Sequence, residues 1–389
     1  MKRRLTLLTE IIAPYRIPVF NALASRDDIH LHVIFLSETD PSLRQWQIYK
    51  NEIQFSYEIL PAWRRRVGQY NLLVNRGVGA ALVRSRPQAI LCGGYNYVAS
   101  WQAARWANGR NLPLLLWSES TANDSRRHRW PVEFMKSRFL RRCRAFVVAG
   151  QSSRDYLIHL GASAASIFIA PNAVDINFYA FLAAQARRQA TDARARYTLP
   201  PRYFLYAGRL VPEKGVFDLL AAYAKLESQD RSQIGLVFAG DGTSRSQLAE
   251  RAAAIQPGRV HFCGFLHREH LAELYALAEA LVFPTHSDPW GLVVNEAMAC
   301  GLPIIASHVA GCVPDLVKNA ENGFVVPPGN IEALAHAMRT MLNDPLTLEK
   351  FAAASAAKIQ AHSPRACAEG MAKEALFAWD EQEFVAAKV

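Results

Sequence analysis

The chain has 389 residues, 51% of them hydrophobic and 20% charged, with a formal net charge of +10. That length exceeds one ordinary core and predicts two domains. The composition is that of a soluble globular protein, and no apolar run approaches the ~20 residues needed to span a bilayer. The charge is uneven: residues 1–199 hold 28 Lys and Arg against 13 Asp and Glu, whereas residues 200–389 hold 16 against 21. A basic first half points to an anionic partner, with nucleic acid, an acidic membrane surface and an anionic saccharide all open at this stage. Six cysteines without C-x-x-C spacing, mostly in apolar surroundings, read as reduced, buried thiols of a cytosolic protein and argue against a zinc site.

Met1 to Arg4 ahead of LTLLTEII has the outline of a signal peptide, but Glu10 and Pro14 interrupt it and no small-residue cleavage site follows. The segment reads instead as the first strand. Strands are predicted at Leu5–Leu8, His30–Leu36, Ala89–Cys92, Pro113–Trp117 and Ala145–Ala149, alternating with helix-like segments as in α/β domains with parallel sheets. After the first strand, Pro18 suits the first turn of a helix running to Ala24, which would present Tyr15 and Arg16 at a cleft edge; a packed proline-rich connection is the alternative.

Two segments mix basic and aromatic residues: Trp63-Arg64-Arg65-Arg66 with Tyr70, and Arg126 to Arg144. In the second, Trp130, Phe134 and Met135 would face one way and Lys136, Arg138, Arg141, Arg142 and Arg144 would form a cationic flank, as in a helix lying on anionic lipid; the alternative is a solvated helix over ordinary core. Nucleic acid is disfavoured because no helix-turn-helix, zinc finger or RNA-binding signature accompanies the charge. The strand LLLWSES ends in Glu119, placed to orient a sugar hydroxyl, assist proton removal from an acceptor, or partner a helix N-cap.

Ala, Arg and Gln dominate 175–200, which reads as a linker after the turn-rich Pro171-Asn172-Ala173-Val174-Asp175. Strands resume at Tyr203–Ala207, Gly235–Ala239, Val260–Phe262, Leu281–Phe283 and Leu302–Ala306. GRLVPEKG brings Arg209 and Lys214 to one strand exit, where a planar fork and a point charge would hold a diphosphate; surface ion pairing is the alternative. No Asp-x-Asp clasp occurs, so no metal is expected. Gly240 lies in a Gly-Asp-Gly turn that departs from the dinucleotide fingerprint at Arg245, and Gly264 with Phe265 offers backbone to a nucleobase. In SDPWGLVVNEAMACGLPIIAS, Gly291 opens a helix whose first residues Leu292 and Val293 would aim unpaired N–H groups at a phosphate. Asp288 and Glu296 supply carboxylates for hydroxyl groups there, unless the stretch is a plain crossover with a surface acid pair.

GRLVPEKG, GDG, VHFCGFL, LYALAEALVFPTHSDPWGLVVNEAMACGLPIIASHVAG and NGFVVPPGN, in this order and spacing, resemble the nucleotide-binding half of the retaining glycosyltransferase family 4, the glycosyl transferases group 1 with the GT-B fold. APYRIPVF, LLLWSES and PNAVD carry a looser resemblance through the first half. The resemblance implies an acceptor-binding domain over 1–185, a nucleotide-sugar domain over 200–363, and a last helix within 364–389 returning to the first domain. It implies that Arg209 and Lys214 stabilise the diphosphate leaving group, that Glu296 holds the ribose, and that the backbone at Gly291, Leu292 and Val293 meets phosphate and sugar. Three departures stand out: Asp288 where the family usually has Glu, Ala173 where it has Gly, and Glu119 where many members have an acceptor-side His.

The expectation is a retaining hexosyltransferase without cofactor or metal. It would move a sugar from a nucleotide diphosphate sugar to a glycan or lipid-linked acceptor in bacterial-type polysaccharide or glycolipid assembly. It would work in the cytoplasm, peripherally on the inner face of the plasma membrane, with Arg209, Lys214, Glu119 and Asp288 as catalytic residues. The alternative is a catalytically impaired protein that still binds nucleotide sugars.

Overall fold

The computed structural model describes residues 2–40, 46–67, 70–123, 130–255 and 259–386. Its strands are β1 (Arg3–Thr9), β2 (Ile29–Phe35), β3 (Ser56–Ile59), β4 (Ala62–Val67), β5 (Tyr70–Asn75), β6 (Ala89–Cys92), β7 (Leu114–Ser118), β8 (Ala145–Val148) and β9 (Ile167–Ile169), followed by β10 (Tyr203–Ala207), β11 (Gly235–Ala239), β12 (Val260–Gly264), β13 (Ala280–Phe283), β14 (Ile304–Ser307) and β15 (Gly323–Val326). They form a seven-stranded sheet ordered β3-β2-β1-β6-β7-β8-β9, a six-stranded sheet ordered β12-β11-β10-β13-β14-β15, and the separate antiparallel hairpin β4-β5. Every pairing within the two large sheets is parallel.

The chain divides into two compact units. The first comprises Met1–Ala122, Arg126–Ala173 and Pro364–Val389, and the second Asn123–Ser125 and Val174–Ser363. The division at Ala173 precedes the 175–200 stretch that reads as a linker. Ile176–Arg188 and Ala190–Tyr197 are helices of the second unit, the former tied to it by Arg187, which donates to the carbonyls of Ala276 (3.1 Å) and Cys300 (2.6 Å).

In the first unit, successive β1 side chains alternate between two cores. Leu5 and Leu7 join Val33, Leu91, Leu115 and Val147 beneath Phe20, Met371 and Trp379, while Leu8 joins Ile34, Ile90, Leu116 and Val148 beneath Leu82, Ala103 and Phe139. Both faces are therefore covered by helices, which is why these strands read as nearly unbroken apolar runs. The second unit repeats the plan. Phe204, Tyr206, Leu236, Phe238, Val282 and Ile305 pack on the helices Val216–Ala224 and Ile331–Asn343. On its other face Tyr203 donates to the carbonyl of Leu274 (2.7 Å) in the helix Arg268–Leu277.

Parallel sheets of this kind bind ligands beyond the carboxyl ends of their strands, where the strand order reverses. The reversal lies between β1 and β6 in the first unit and between β10 and β13 in the second.

Candidate functional site

At the second unit's reversal, β10 exits through Gly208 and β11 through Gly240, both at left-handed φ (+143° and +140°). A Cβ on Gly240 would lie 1.9 Å from the Gly208 carbonyl oxygen, so only glycine lets these loops touch. Backbone bonds then run from Gly208 N to Ala239 O (3.0 Å) and from Gly240 N to Gly264 O (2.7 Å), setting three strand exits side by side. Gly240 thus packs one loop against the next. At Gly264 a Cβ would meet nothing within 4 Å, and Phe265 beside it is exposed.

Lys214 closes the 3-10 turn Pro212–Lys214, and Gly215 follows at φ +68°. A Cβ on Gly215 would lie 1.9 Å from Pro284 O, so the turn is pressed against the end of β13. That approach carries Lys214 to the β13 exit, where Nζ donates to Ser287 O (2.8 Å) and to Asp288 Oδ2 (2.7 Å). Buried Thr285 supports the junction by donating to Glu213 O (3.2 Å) and Ser287 O (3.0 Å). Asp288 Oδ1 in turn accepts from Trp290 N (3.0 Å), so both carboxylate oxygens are engaged. Arg209 is not gathered into this pair. It is about half exposed and stands 3.6 Å from Glu213.

Trp290 is buried, with its indole N–H bonded to Asn295 Oδ1 (2.8 Å). Gly291 follows at φ +100°, where a Cβ would press on the Phe283 ring at 2.7 Å. The helix Leu292–Ala299 therefore starts immediately beyond the β13 exit. Its first-turn N–H groups, those of Leu292 and Val293 among them, have no carbonyl one turn earlier in the helix to bond.

Glu296, on that helix, accepts from the Tyr275 hydroxyl (2.8 Å) and also bonds Tyr179. Burial pushes its pKa up to about 7, with the two tyrosine hydroxyls pulling the other way. The sequence reading missed both tyrosines. Tyr275 lies near the end of the helix Arg268–Leu277, at the start of the LYALAEALVF motif, and Tyr179 lies in the stretch taken for a linker.

In the first unit, Tyr15 and Arg16 occupy the 3-10 turn Pro14–Arg16. Arg16 donates to Thr9 Oγ1 (2.9 Å) at the end of β1 and to Glu119 Oε1 (3.3 Å) just past β7. Its guanidinium lies 4.4 Å from the Trp117 ring centroid and 5.7 Å from that of Tyr15. Burial works against the Arg16 charge, but Tyr15 and Glu119 outweigh it and raise its pKa. Glu119 is thus the ionic partner of Arg16.

The cationic flank read from Arg126 to Arg144 is changed in one respect. Arg126, Arg127 and Arg129 lie outside the described residues. Within the helix Trp130–Leu140, Phe134, Met135 and Arg138 are exposed, and Arg141 just past its end is exposed too. Lys136 falls on the opposite side and is buried, donating to Glu133 (3.1 Å) and the Tyr156 hydroxyl (2.6 Å).

Residues 189–358 match the family model of glycosyl transferases group 1. A glycogen synthase of Mycobacterium tuberculosis is 32% identical over 228 residues, 58% of this chain and 51% of that protein. The alpha-D-kanosaminyltransferase of Streptomyces kanamyceticus is 35% identical over 170 residues, 43% of each chain. The chain thus spans about half the length of the curated relatives it matches. Among solved structures, Anabaena HepE in complex with UDP aligns with TM-score 0.74 at 20% identity, over 96% of this chain and 99% of that one. Sucrose-phosphate synthase of Thermosynechococcus elongatus aligns with TM-score 0.73 at 23% identity, over 99% and 100%. The two parallel-sheet units are those of the GT-B fold. Over residues 189–358 the chain is thus similar to the glycosyl transferases group 1 family.

Proposed function

We propose that the chain transfers a hexose from a nucleoside diphosphate sugar to a glycan or lipid-linked acceptor, with retention at the anomeric carbon and without a metal or other cofactor. The observation that carries this reading is Lys214. It is held on Asp288 at the second unit's strand reversal, beside the start of the helix Leu292–Ala299. A diphosphate placed there meets an ammonium group and first-turn N–H groups, which stabilise the charge that develops as it leaves the sugar. Arg209, exposed at the neighbouring strand exit, adds a second cation with little reorganisation. Asp288 is engaged on both oxygens, which suits holding Lys214 and the loop better than attacking a sugar, and so favours front-face attack over a covalent sugar intermediate. Solved neighbours that hold UDP or UDP-glucose support a nucleotide sugar as donor.

Glu296 is assigned to the ribose hydroxyls, and Gly264 with Phe265 to the nucleobase. Glu119, steadied by Arg16, is assigned to the acceptor side. The exposed face of Phe134, Met135, Arg138 and Arg141, with exposed Trp63, Arg65 and Leu72 on the hairpin, supports peripheral attachment to an anionic membrane on the cytoplasmic side. Among the described residues no helix is long and apolar enough to cross a membrane.

The reading is tested by turnover against a panel of nucleotide sugars, with and without EDTA. Lys214→Ala or Arg209→Ala should cut turnover by about 100-fold or more while the melting curve stays intact. Turnover close to wild type in either variant overturns the assignment. Sedimentation with anionic vesicles tests the membrane contact: binding at low salt that weakens at high salt is expected, and no binding at low salt removes it.

A further inference from the structure

The first unit has its own strand reversal, between β1 and β6, and the groups gathered there differ in kind from those at the second. We propose that this edge binds an uncharged, hydroxyl-rich sugar ring, so that the part of the acceptor entering the first unit is a neutral saccharide. The inference rests on the transferase reading only in calling that ligand the acceptor.

Glu10 follows β1, and Tyr97, just before the helix Val98–Asn108 that follows β6, is hydrogen-bonded to it. The approach of these two strand ends depends on Gly93, where a Cβ would sit 3.1 Å from Leu8 O and 3.3 Å from Thr9 Oγ1. Arg64 comes in from the hairpin β4-β5, reaching Glu10 at 3.5 Å and bonding Asp40. Arg16 holds Glu119. Three carboxylates thus face two guanidinium groups.

The distribution of exposure decides what this edge can accept. The Glu10 and Glu119 side chains keep 32% and 31% exposure, whereas Arg64 and Arg16 keep 20% and 16% and Asp40 only 3%. Glu10 and Glu119 therefore keep a larger share of their side chains open to a ligand than the arginines that hold them, while Asp40 serves to hold Arg64. A phosphate would meet like charge there. A sugar ring would meet acceptors for its hydroxyls, since an ionised carboxylate has about four lone-pair sites and its arginine occupies only part of them. Tyr15 and Trp46, edge to face at 5.8 Å, add aromatic surface beside Arg16. On the β7 end, the Ser118 and Thr121 hydroxyls and the Trp117 indole N–H are buried with no partner among the described residues. Buried polar groups are ordinarily satisfied, and a water or a ligand hydroxyl serves such groups as a partner.

The test is saturation-transfer difference NMR on the full chain without nucleotide, using the methyl glycosides of glucose, galactose and mannose alongside glucose 6-phosphate, each at millimolar concentration. At least one neutral glycoside should receive saturation at its ring protons, and the sugar phosphate severalfold less. Glu10→Gln and Glu119→Gln should each weaken the neutral signal about tenfold, the loss of one charge-assisted hydrogen bond, with melting curves confirming that both variants fold. The comparison of neutral sugar with phosphate is made on the wild-type chain, so it stands even if a variant fails to fold. No glycoside signal, a phosphate signal equal to the neutral one, or a neutral signal unchanged in both folded variants overturns the proposal. Titration with nucleoside diphosphates on the same protein separates the two readings. Diphosphate binding without a glycoside signal removes this site and leaves the transferase. A glycoside signal without diphosphate binding leaves the site and removes the transferase.

Discussion

The two strand reversals are built from different materials. At β10 and β13 the contacts that set the geometry are backbone on backbone: Gly240 against Gly208, and Gly215 against Pro284, with Lys214 carried to Asp288 as a result. At β1 and β6, apart from Gly93 against Leu8, they are side chain on side chain: Arg16 on Glu119 and Thr9, Arg64 on Glu10 and Asp40, Tyr97 on Glu10. A site shaped by glycines has few sequences that can make it, and it suits a chemical group that never changes, such as a diphosphate. A site shaped by side chains can be re-cut one residue at a time, which suits a partner that varies.

The contrast is broken most directly at the glycines. Gly215→Ala places a Cβ 1.9 Å from Pro284 O at φ +68° and should cost about 4 kcal/mol or more, read as loss of a cooperative melt or a large drop in its midpoint. Gly94→Ala, in the first unit at φ +132° but with only the Tyr97 ring at 3.7 Å, should cost about 1 to 2 kcal/mol. Equal losses would erase the distinction between the two edges. Next in size, Lys214→Ala should weaken nucleoside diphosphate binding, measured by calorimetry, by about 2 to 3 kcal/mol without moving the melting midpoint by more than a few degrees.

Glu296 provides a pH test. Its folded pKa of about 7 lies above the ordinary 4.5, so the folded state binds more protons between those values. Stability from this group is therefore full below about pH 4.5 and is lost as pH rises through about 7. Glu296→Gln lacks that loss. It should overtake the wild type in stability above neutrality, read as a higher melting midpoint, by about 2 kcal/mol once solvent at the rim of this partly buried carboxyl trims the full linkage value. A constant difference between the two proteins from pH 4 to 8 would place the carboxyl's titration elsewhere. The smallest effect belongs to the first unit. Glu119→Gln should lower turnover about tenfold, roughly 1.4 kcal/mol, and leave nucleotide affinity unchanged, because Arg16 keeps its bonds to Thr9 and its stacking on Trp117.

This division also governs what the sequence disclosed. The strands buried on both faces announced themselves as apolar runs, and the glycine-bracketed motifs placed Arg209, Lys214, Gly291 and Glu296 in order along the second unit. The strands not anticipated are β3 (SYEI), β9 (IFI), β15 (GFVV) and the hairpin β4-β5. The first two are short edge strands, and β15 too is short and at an edge of its sheet, so none carries the long apolar signature of a central strand. In the hairpin, Trp63-Arg64-Arg65 reads as a run of charge, yet a strand alternates its faces. Arg64 turns inward to Asp40, while Trp63 and Arg65 turn outward. The same logic at helical period separates Lys136 from Arg138 and Arg141. Tyr179 and Tyr275 meet Glu296 from two other helices, a convergence that no local spacing encodes.

The helix Pro364–Ala386 bears on how the chain is made. Its Met371, Ala375 and Trp379 complete the core under β1 and β2, and Gly370 fits where a Cβ would lie 2.3 Å from Ile169 O. The second unit, 174–363, is synthesised before residues 364–386, whereas the first waits, with one face of its sheet covered only by the helix Ile17–Ala24, until those residues follow. The order of birth is then the reverse of the order of reading: the later unit can finish folding before the earlier one. A chain stopped at Ser363 should keep a melting, nucleotide-binding second unit and leave the first to chaperones or proteases.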